Sequence, residues 1–388
     1  MDRSTLPHIG VIVRANQSIG TGHLMRIKPL LPKLKEHAYL TLYVYAFDEA
    51  LRPLCSEYDK VQTFETKEDI LCHLQFLKAK TQSSVADERL DDLFIIDDYA
   101  IDKDFEQELY TCAKLFIIDD LCNREHSCHI LLDQTLFTRE EGYQKLCPPE
   151  CKLLLGAPYS LTLERFYVQN YMPDYHSPCT CGAHHGPVCA RTLENAPYQG
   201  NCTGADSQCQ PVPRVLVNFG GADPVSACLQ SCRTIIDSKL YEQYHFTVLA
   251  GAANKDYPRI QELLQTIPQP YQERMELIAH CNDVADLLFK HDIAIGAYGG
   301  MFRERIAAAI PTLGVEIADN QAGAGAIVEH FKLGLSLELE QLKDSHALKS
   351  ALSELLYNGK FYSDNCRAIY DGQGLNRIAH ELLALLKS

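Results

Sequence analysis

The chain has 388 residues, 46% hydrophobic and 22% charged, and 36 Lys and Arg against 51 Asp and Glu give a formal net charge of -15. So apolar a chain buries enough surface to offset its ordering entropy, which excludes a disordered protein, and its length predicts two domains. The acidic balance argues against nucleic-acid and anionic-membrane partners, which need a dominant basic face, but leaves room for a small anionic ligand at a local site.

Taken in chain order, the polar segment Met1 to Pro7 lacks a secretory apolar region, and no window approaches the roughly 18 apolar residues of a membrane span. A cytoplasmic protein without a membrane span is expected, and its 16 Cys are expected to be reduced. Ile9 to Val13 reads as a buried strand, followed by a glycine-containing loop and a helical stretch from His23 to Glu36. Tyr39 to Ala46, Leu93 to Ile96 and Leu115 to Ile118 follow as strand patterns, the last two each ending in an Asp-Asp pair. Continuous apolar runs separated by helices predict strands buried on both faces of a parallel sheet. Met172 to Pro213 is dense in Pro, Gly and Cys and reads as an insert or linker. The strand pattern resumes at Arg214 to Val217, Phe246 to Leu249 and Ile293 to Ile295. The expected division is therefore 1–171, an insert 172–213, and a second α/β domain 214–388.

Five constellations carry chemistry. Gly20-Thr-Gly22-His23 follows the first strand, where glycines allow close backbone approach and a helix N-terminus offers free N–H groups. His23 at that N-terminus is disfavoured as a cation by the helix dipole and is a usable base, although a structural turn with an incidental His reads equally from the residues. Asp97-Asp98-Tyr99 and Asp119-Asp120 end apolar runs, where open α/β sheets place ligands. Capping the next helix or bonding loop amides is the preferred role for Asp119 and Asp120 over a divalent-metal pair, whereas Asp98 and Tyr99 remain open to a ligand role. Asn218-Phe-Gly220-Gly221-Ala-Asp223-Pro224 reads as a second close-approach loop, with Asp223 and Pro224 starting a helix. Tyr298-Gly299-Gly300 leads into a helix bearing Glu304 and Arg305 and is followed by Asn320-Gln321. Such a helix start can face a diphosphate while Glu304 takes a ribose diol; plain solvated helix charges are the alternative. Finally, the insert holds Cys179, Cys181, Cys189, Cys202 and Cys209 with His176, His184 and His185. These are zinc ligand types without Cys-x-x-Cys knuckles, so reduced thiols are the preferred reading and a structural zinc the alternative.

Taken together, the motifs resemble the UDP-sugar hydrolase family of pseudaminic acid biosynthesis, which acts on UDP-2,4-diacetamido-2,4,6-trideoxy-β-L-altropyranose, and its relatives described as spore-coat polysaccharide glycosyltransferases. The resemblance runs from Arg14 through Gly22-His23 to Arg26, then Asp97 to Tyr99, Asp119-Asp120 with Asn123-Arg124, and Gly156 to Tyr159. It continues through Asn218 to Pro224, Gly251 to Asn254, Ile295 to Ala297 with Glu304-Arg305, Asp319 to Gln321, and Asp371 to Gly374 with Arg377. It implies a GT-B fold, two Rossmann-like domains facing across a cleft, with the nucleotide held mainly by the second. It also implies chemistry without a metal or other cofactor, in which His23 deprotonates a water that attacks C1 with inversion and expels UDP. Arg14, Gly22, Asp98, Tyr99, Gly220, Gly221, Tyr298, Gly299, Gly300, Glu304, Asn320 and Gln321 are the substrate-binding residues that motifs and resemblance together suggest. Three differences from the family stand out, the first being the Cys-rich insert itself. Asn16 replaces an Asp in a shortened first loop, and Gly299-Gly-Met-Phe-Arg303 replaces a hydroxyl-bearing segment, so that Arg303 can stand in as a phosphate donor. The expected partners are a small-molecule UDP-sugar and water. The rivals are a GT-B glycosyltransferase that replaces water with an acceptor hydroxyl, and an inactive nucleotide-sugar-binding protein.

Overall fold

The computed structural model describes residues 3–16, 21–80, 89–136, 140–167, 212–221, 223–251, 254–281 and 283–388. Two compact units result: Met1–Glu164 together with Asp371–Ser388, and Arg165–Tyr370. In the first, β1 (His8–Arg14), β2 (Tyr39–Tyr45), β3 (Lys60–Phe64), β4 (Leu93–Asp97), β5 (Lys114–Ile118), β6 (Ile130–Asp133) and β7 (Lys152–Leu155) form one sheet. Its order is β3-β2-β1-β4-β5-β6-β7, with parallel pairing throughout.

Period-two alternation sends Ile9, Val11 and Val13 to one face and Ile12 to the other. The first face packs on Leu24, Ile27, Leu31 and Leu34, the second on Ile70, Leu74, Phe105 and Leu109. Both faces are thus dry, as the continuous apolar runs require. The helical stretch expected from His23 to Glu36 is interrupted. Helices Gly22–Ile27 and Leu31–Lys35 flank a 3-10 turn, because Pro29 and Pro32 lack the N–H that a continuous helix needs.

The second unit contains β8 (Arg214–Asn218), β9 (His245–Leu249), β10 (Met275–Ile278), β11 (Ile293–Ala297), β12 (Thr312–Val315) and β13 (Gly334–Leu337). Their order is β10-β9-β8-β11-β12-β13, again parallel. Its core joins Val215, Val217, Phe246 and Ile295 to Cys228, Cys232 and Ile235 of helix Ala227–Asp237, where the thiols act as small hydrophobes.

The expected end of the second domain at residue 388 is corrected, because the chain returns to the first unit at Asp371. Helix Gly374–Lys387 buries Leu375, Ile378, Ala379 and Leu382 in the same cluster as Leu30 and Leu34. Arg377 donates to the Pro158 carbonyl at 3.0 Å and to Asp371, and Lys152 pairs with Glu381 at 2.6 Å. Earlier in the chain, Phe166 already belongs to the second unit, packed with Leu216, Ala294 and Ile310. The Cys-rich insert lies outside the described residues except for Val212 and Pro213. Among the described residues no helix is long and apolar enough to cross a membrane.

Candidate active site

Each sheet reverses its strand order at one point, between β1 and β4 in the first unit and between β8 and β11 in the second. Loops leaving the C-terminal ends of strands diverge there, which is where open α/β sheets bind ligands.

In the first unit the register pairs Val13 with Asp97. The last residue of β4 therefore lies beside the start of helix Gly22–Ile27, which carries His23. His23 Nδ1 is 2.7 Å from Asp97 Oδ1, and both side chains are largely buried. Arg26, one helical turn beyond, donates through Nε to Asp97 Oδ2 at 2.8 Å and through Nη2 to Oδ1. Its Nη1 reaches Asp120 Oδ2 at 2.7 Å, and Tyr99 donates its hydroxyl to the other oxygen of Asp120. Burial opposes charge on Asp97, but Arg26 and His23 outweigh it and hold this carboxyl below its ordinary value. Asp97 is thus ionised, and its stabilising contribution is complete above the ordinary carboxylate range and lost as pH falls through the depressed value.

An ionised carboxylate can only accept, so His23 Nδ1 carries a proton, and in the neutral imidazole Nε2 is then the nitrogen with the lone pair. Arg26 Nη2 stands 3.2 Å from the same Nδ1; with both groups acting as donors they make no bond to each other and converge on Asp97 Oδ1 instead. The Tyr99 ring, 37% exposed, meets the imidazole edge-on at 4.9 Å. The result is an imidazole of fixed orientation beside an accessible aromatic.

Asp98, on the opposite face of β4's end, is buried and organises rather than exposes its neighbours. It accepts from the Tyr45 hydroxyl and the Ala100 amide, and Arg14 lies 3.3 Å away. Space beside Gly22 is open. Gly20 lies outside the described residues. Asp119 fills the expected role, accepting loop amides of Leu121 and Cys122 and pairing with Arg124. Asp120 does not cap a helix, as the sequence suggested, because its carboxylate is taken by Arg26 and Tyr99.

Sequence reasoning passed over Asp97 in favour of Asp98. The Asp-Asp pair after a buried run shows only that the two carboxylates leave opposite faces; the β1–β4 register shows which one meets His23. Replacing Asp97 with Asn is expected to lower turnover about 10³–10⁴-fold by releasing the tautomer. Steady-state kinetics check this, with circular dichroism confirming the fold, since breaking a buried ion network costs about 3–5 kcal/mol.

In the second unit Gly220 adopts φ +91°, a conformation that side chains resist, just after β8. Asn218 anchors that loop, donating to the Leu249 carbonyl at 2.8 Å and accepting from the Gly220 amide. Gly221 faces open space, and Asp223 accepts the Ala227 and Cys228 amides at the start of helix Ala227–Asp237; the helix begins after Ser226 rather than at Pro224, a correction to the start that the sequence predicted. After β11, Gly299 and Gly300 start helix Gly300–Ala307 with open space where side chains would stand. The Tyr298 hydroxyl donates to Ser336 at 3.0 Å, and its ring occupies the space above Gly314. Gln321 accepts from the Ile317 amide at 3.1 Å, and the Asn320 side chain lies outside the described residues.

Two neighbouring charges behave differently. The Glu304 carboxylate is half-buried with no hydrogen-bond partner among the described residues, and burial pushes its pKa up against Arg303 and Arg305. Arg305 is fully buried, far from the solvated helix charge that its sequence position allowed. Its guanidinium bonds the Ala297 carbonyl at 2.5 Å and the Asn218 carbonyl at 3.4 Å, joining the ends of β8 and β11. A Cβ on Gly296 would lie 2.2 Å from Arg305 Nη1, so glycine there admits the guanidinium. Burial lowers the Arg305 pKa to about 10, which leaves it cationic at neutral pH beneath both glycine loops.

No protein-family model matches the chain. A 78-residue stretch, 20% of this chain and 28% of the relative, is 36% identical to the UDP-2,4-diacetamido-2,4,6-trideoxy-β-L-altropyranose hydrolase of Campylobacter jejuni subsp. jejuni serotype O:2. The match thus spans well under two thirds of that relative's length. Whole-chain likeness is found among solved structures. Acinetobacter baumannii MurG matches with TM-score 0.61 and 12% identity over 97% of this chain and 100% of that one. The glycotransferase of kitacinnamycin matches with TM-score 0.60 and 11% identity over 98% and 99%. The UDP-GlcNAc 2-epimerase of Neisseria meningitidis, solved with UDP-GlcNAc bound, matches with TM-score 0.58 and 10% identity over 98% and 99%. At such identities the likeness establishes the fold, which is of the GT-B type with two parallel Rossmann-like sheets.

Proposed function

We propose that the protein is a nucleotide-sugar enzyme, and specifically a hydrolase that removes UDP from a 2,4-diacetamido-2,4,6-trideoxyhexose. The observation that carries this reading is the His23–Asp97 pair, which leaves Nε2 of a buried, oriented imidazole as a base. In the reaction Nε2 takes a proton from water as the water oxygen bonds C1 of the sugar. The C1–O bond breaks with inversion, and its electron pair leaves with UDP. In this proposal charge growing on the diphosphate is met by the amides of Gly299 and Gly300, a stabilisation greater in the transition state than in the ground state, while the fully buried Arg305 holds that loop from within the second unit. Glu304 takes the ribose diol, since a carboxylate near phosphates is tolerable only where hydroxyls face it. The partial identity to the Campylobacter hydrolase supports water, rather than an acceptor sugar, as the nucleophile.

The test is to mix the purified protein with the UDP-linked altropyranose and follow UDP. Release without any acceptor, giving free sugar of inverted anomeric configuration by NMR, is expected. Release only on addition of an acceptor sugar would make the protein a glycosyltransferase, and binding without turnover would remove the enzyme reading altogether.

A further inference from the structure

Three cysteines from two separate stretches of the chain converge in the first unit. The Sγ atoms of Cys128, Cys147 and Cys151 all lie within 4.8 Å of one another, with Cys128 and Cys151 3.5 Å apart. Cys128 precedes β6, Cys147 follows helix Glu140–Leu146, and Cys151 immediately precedes β7. Parallel pairing of Ile130 with Lys152 brings the first and last together, and the Cys151 amide closes a turn on the Pro148 carbonyl at 2.9 Å. That turn, Cys147-Pro-Pro-Glu-Cys151, has the two-to-four-residue spacing of thiolate zinc ligands.

We propose that these three thiolates form a site for one thiophilic divalent cation, zinc in particular. Zinc–sulfur bonds of about 2.3 Å set the sulfurs of a tetrahedron about 3.8 Å apart, within the spread found here. Cys128 is buried and Cys151 is partly exposed, and in the proposed site a water completes the tetrahedron. Binding displaces the thiol protons to solvent and leaves a Zn(S)₃ centre of charge minus one, with no oxidant required. A disulfide would engage two of the sulfurs and leave the convergence of the third unexplained. The site stands at the N-terminal ends of β6 and β7, whereas Asp97 stands at the C-terminal end of β4, so its role is to staple the edge strand β7 rather than to serve the proposed reaction.

The experiment uses the full chain with Cys179, Cys181, Cys189, Cys202 and Cys209 replaced by Ser, which removes the thiols of the insert. After reduction and removal of chelators, cadmium is titrated and the thiolate-to-metal charge-transfer absorption is followed. One equivalent is expected to bind, and adding Cys147→Ser with Cys151→Ser should weaken it at least about 100-fold, beyond the tenfold or more typical of lost supporting contacts. Zinc-edge X-ray absorption on the chain that retains Cys128, Cys147 and Cys151 should show three sulfurs at about 2.3 Å, a readout that does not depend on the double variant folding. Absence of the charge-transfer band at one equivalent, an unchanged titration in the double variant, or a shell of nitrogen and oxygen alone would each overturn the site.

Discussion

His23→Ala is expected to lower turnover of the UDP-sugar about 10²–10⁴-fold, the usual contribution of a positioned general base. Affinity for UDP should stay within about twofold, because in the proposed reaction the lost group acts on water rather than on the nucleotide. Steady-state kinetics paired with calorimetric UDP titration separate the two effects. Near-wild-type turnover would remove His23 as base, and a large parallel loss of UDP affinity would make it a binding residue. The companion Asp97→Asn variant should approach the same turnover while retaining its imidazole, since both changes deprive the water of a correctly oriented lone pair. Asp98→Asn, by contrast, touches Tyr45 and Arg14 but not His23, and a smaller loss is expected.

Glu304→Ala is expected to weaken UDP binding about 10–100-fold, from the loss of charge-assisted hydrogen bonds worth about 1.5–3 kcal/mol. Comparison with 2′-deoxy-UDP makes the test specific. The wild type should prefer UDP, and the variant should lose most of that preference. A uniform loss for both nucleotides would instead point to a disturbed helix start. Protonation supplies an independent check, because burial raises the Glu304 pKa against the opposing pull of Arg303 and Arg305. Ionised Glu304 is the form that accepts from two hydroxyls, so UDP affinity should fall as pH is lowered through the raised value and stay flat there in the variant. The stability sign is opposite. A carboxyl whose folded pKa is raised contributes most below its ordinary value and loses that contribution as pH rises. Glu304→Gln is therefore expected to be at least as stable as wild type at pH 8 in urea unfolding.

Much of this arrangement was legible locally. Strands β1, β4, β5, β8 and β11 are continuous apolar runs, and the loops after β1, β8 and β11 announce themselves through glycine. His23 could be singled out because it follows the first of those loops. The shorter strands β6, β7, β12 and β13 were not picked out, since four-residue segments carry too little pattern to separate from loop or helix. Asp120 was misassigned for a different reason: a carboxylate after a strand looks like a cap until a distant guanidinium, here Arg26, claims it.

The sequence by itself determined the α/β class, the position of the glycine loops and the candidacy of His23, Gly299, Gly300 and Glu304, because these depend on periodicity and backbone chemistry within a few residues. The tertiary structure decided which groups meet. Pairing of β1 with β4 put Asp97 rather than Asp98 on His23, and pairing of β8 with β11 let one buried guanidinium, Arg305, hold both glycine loops. Packing against Leu30 and Leu34 returned the C-terminal helix to the first unit, and the β6–β7 register gathered Cys128 and Cys151. The physical reason is common to all four. Parallel strands and distant helices join residues tens to hundreds of positions apart, and the register that aligns them is set by burial of whole faces, which no local run of residues encodes.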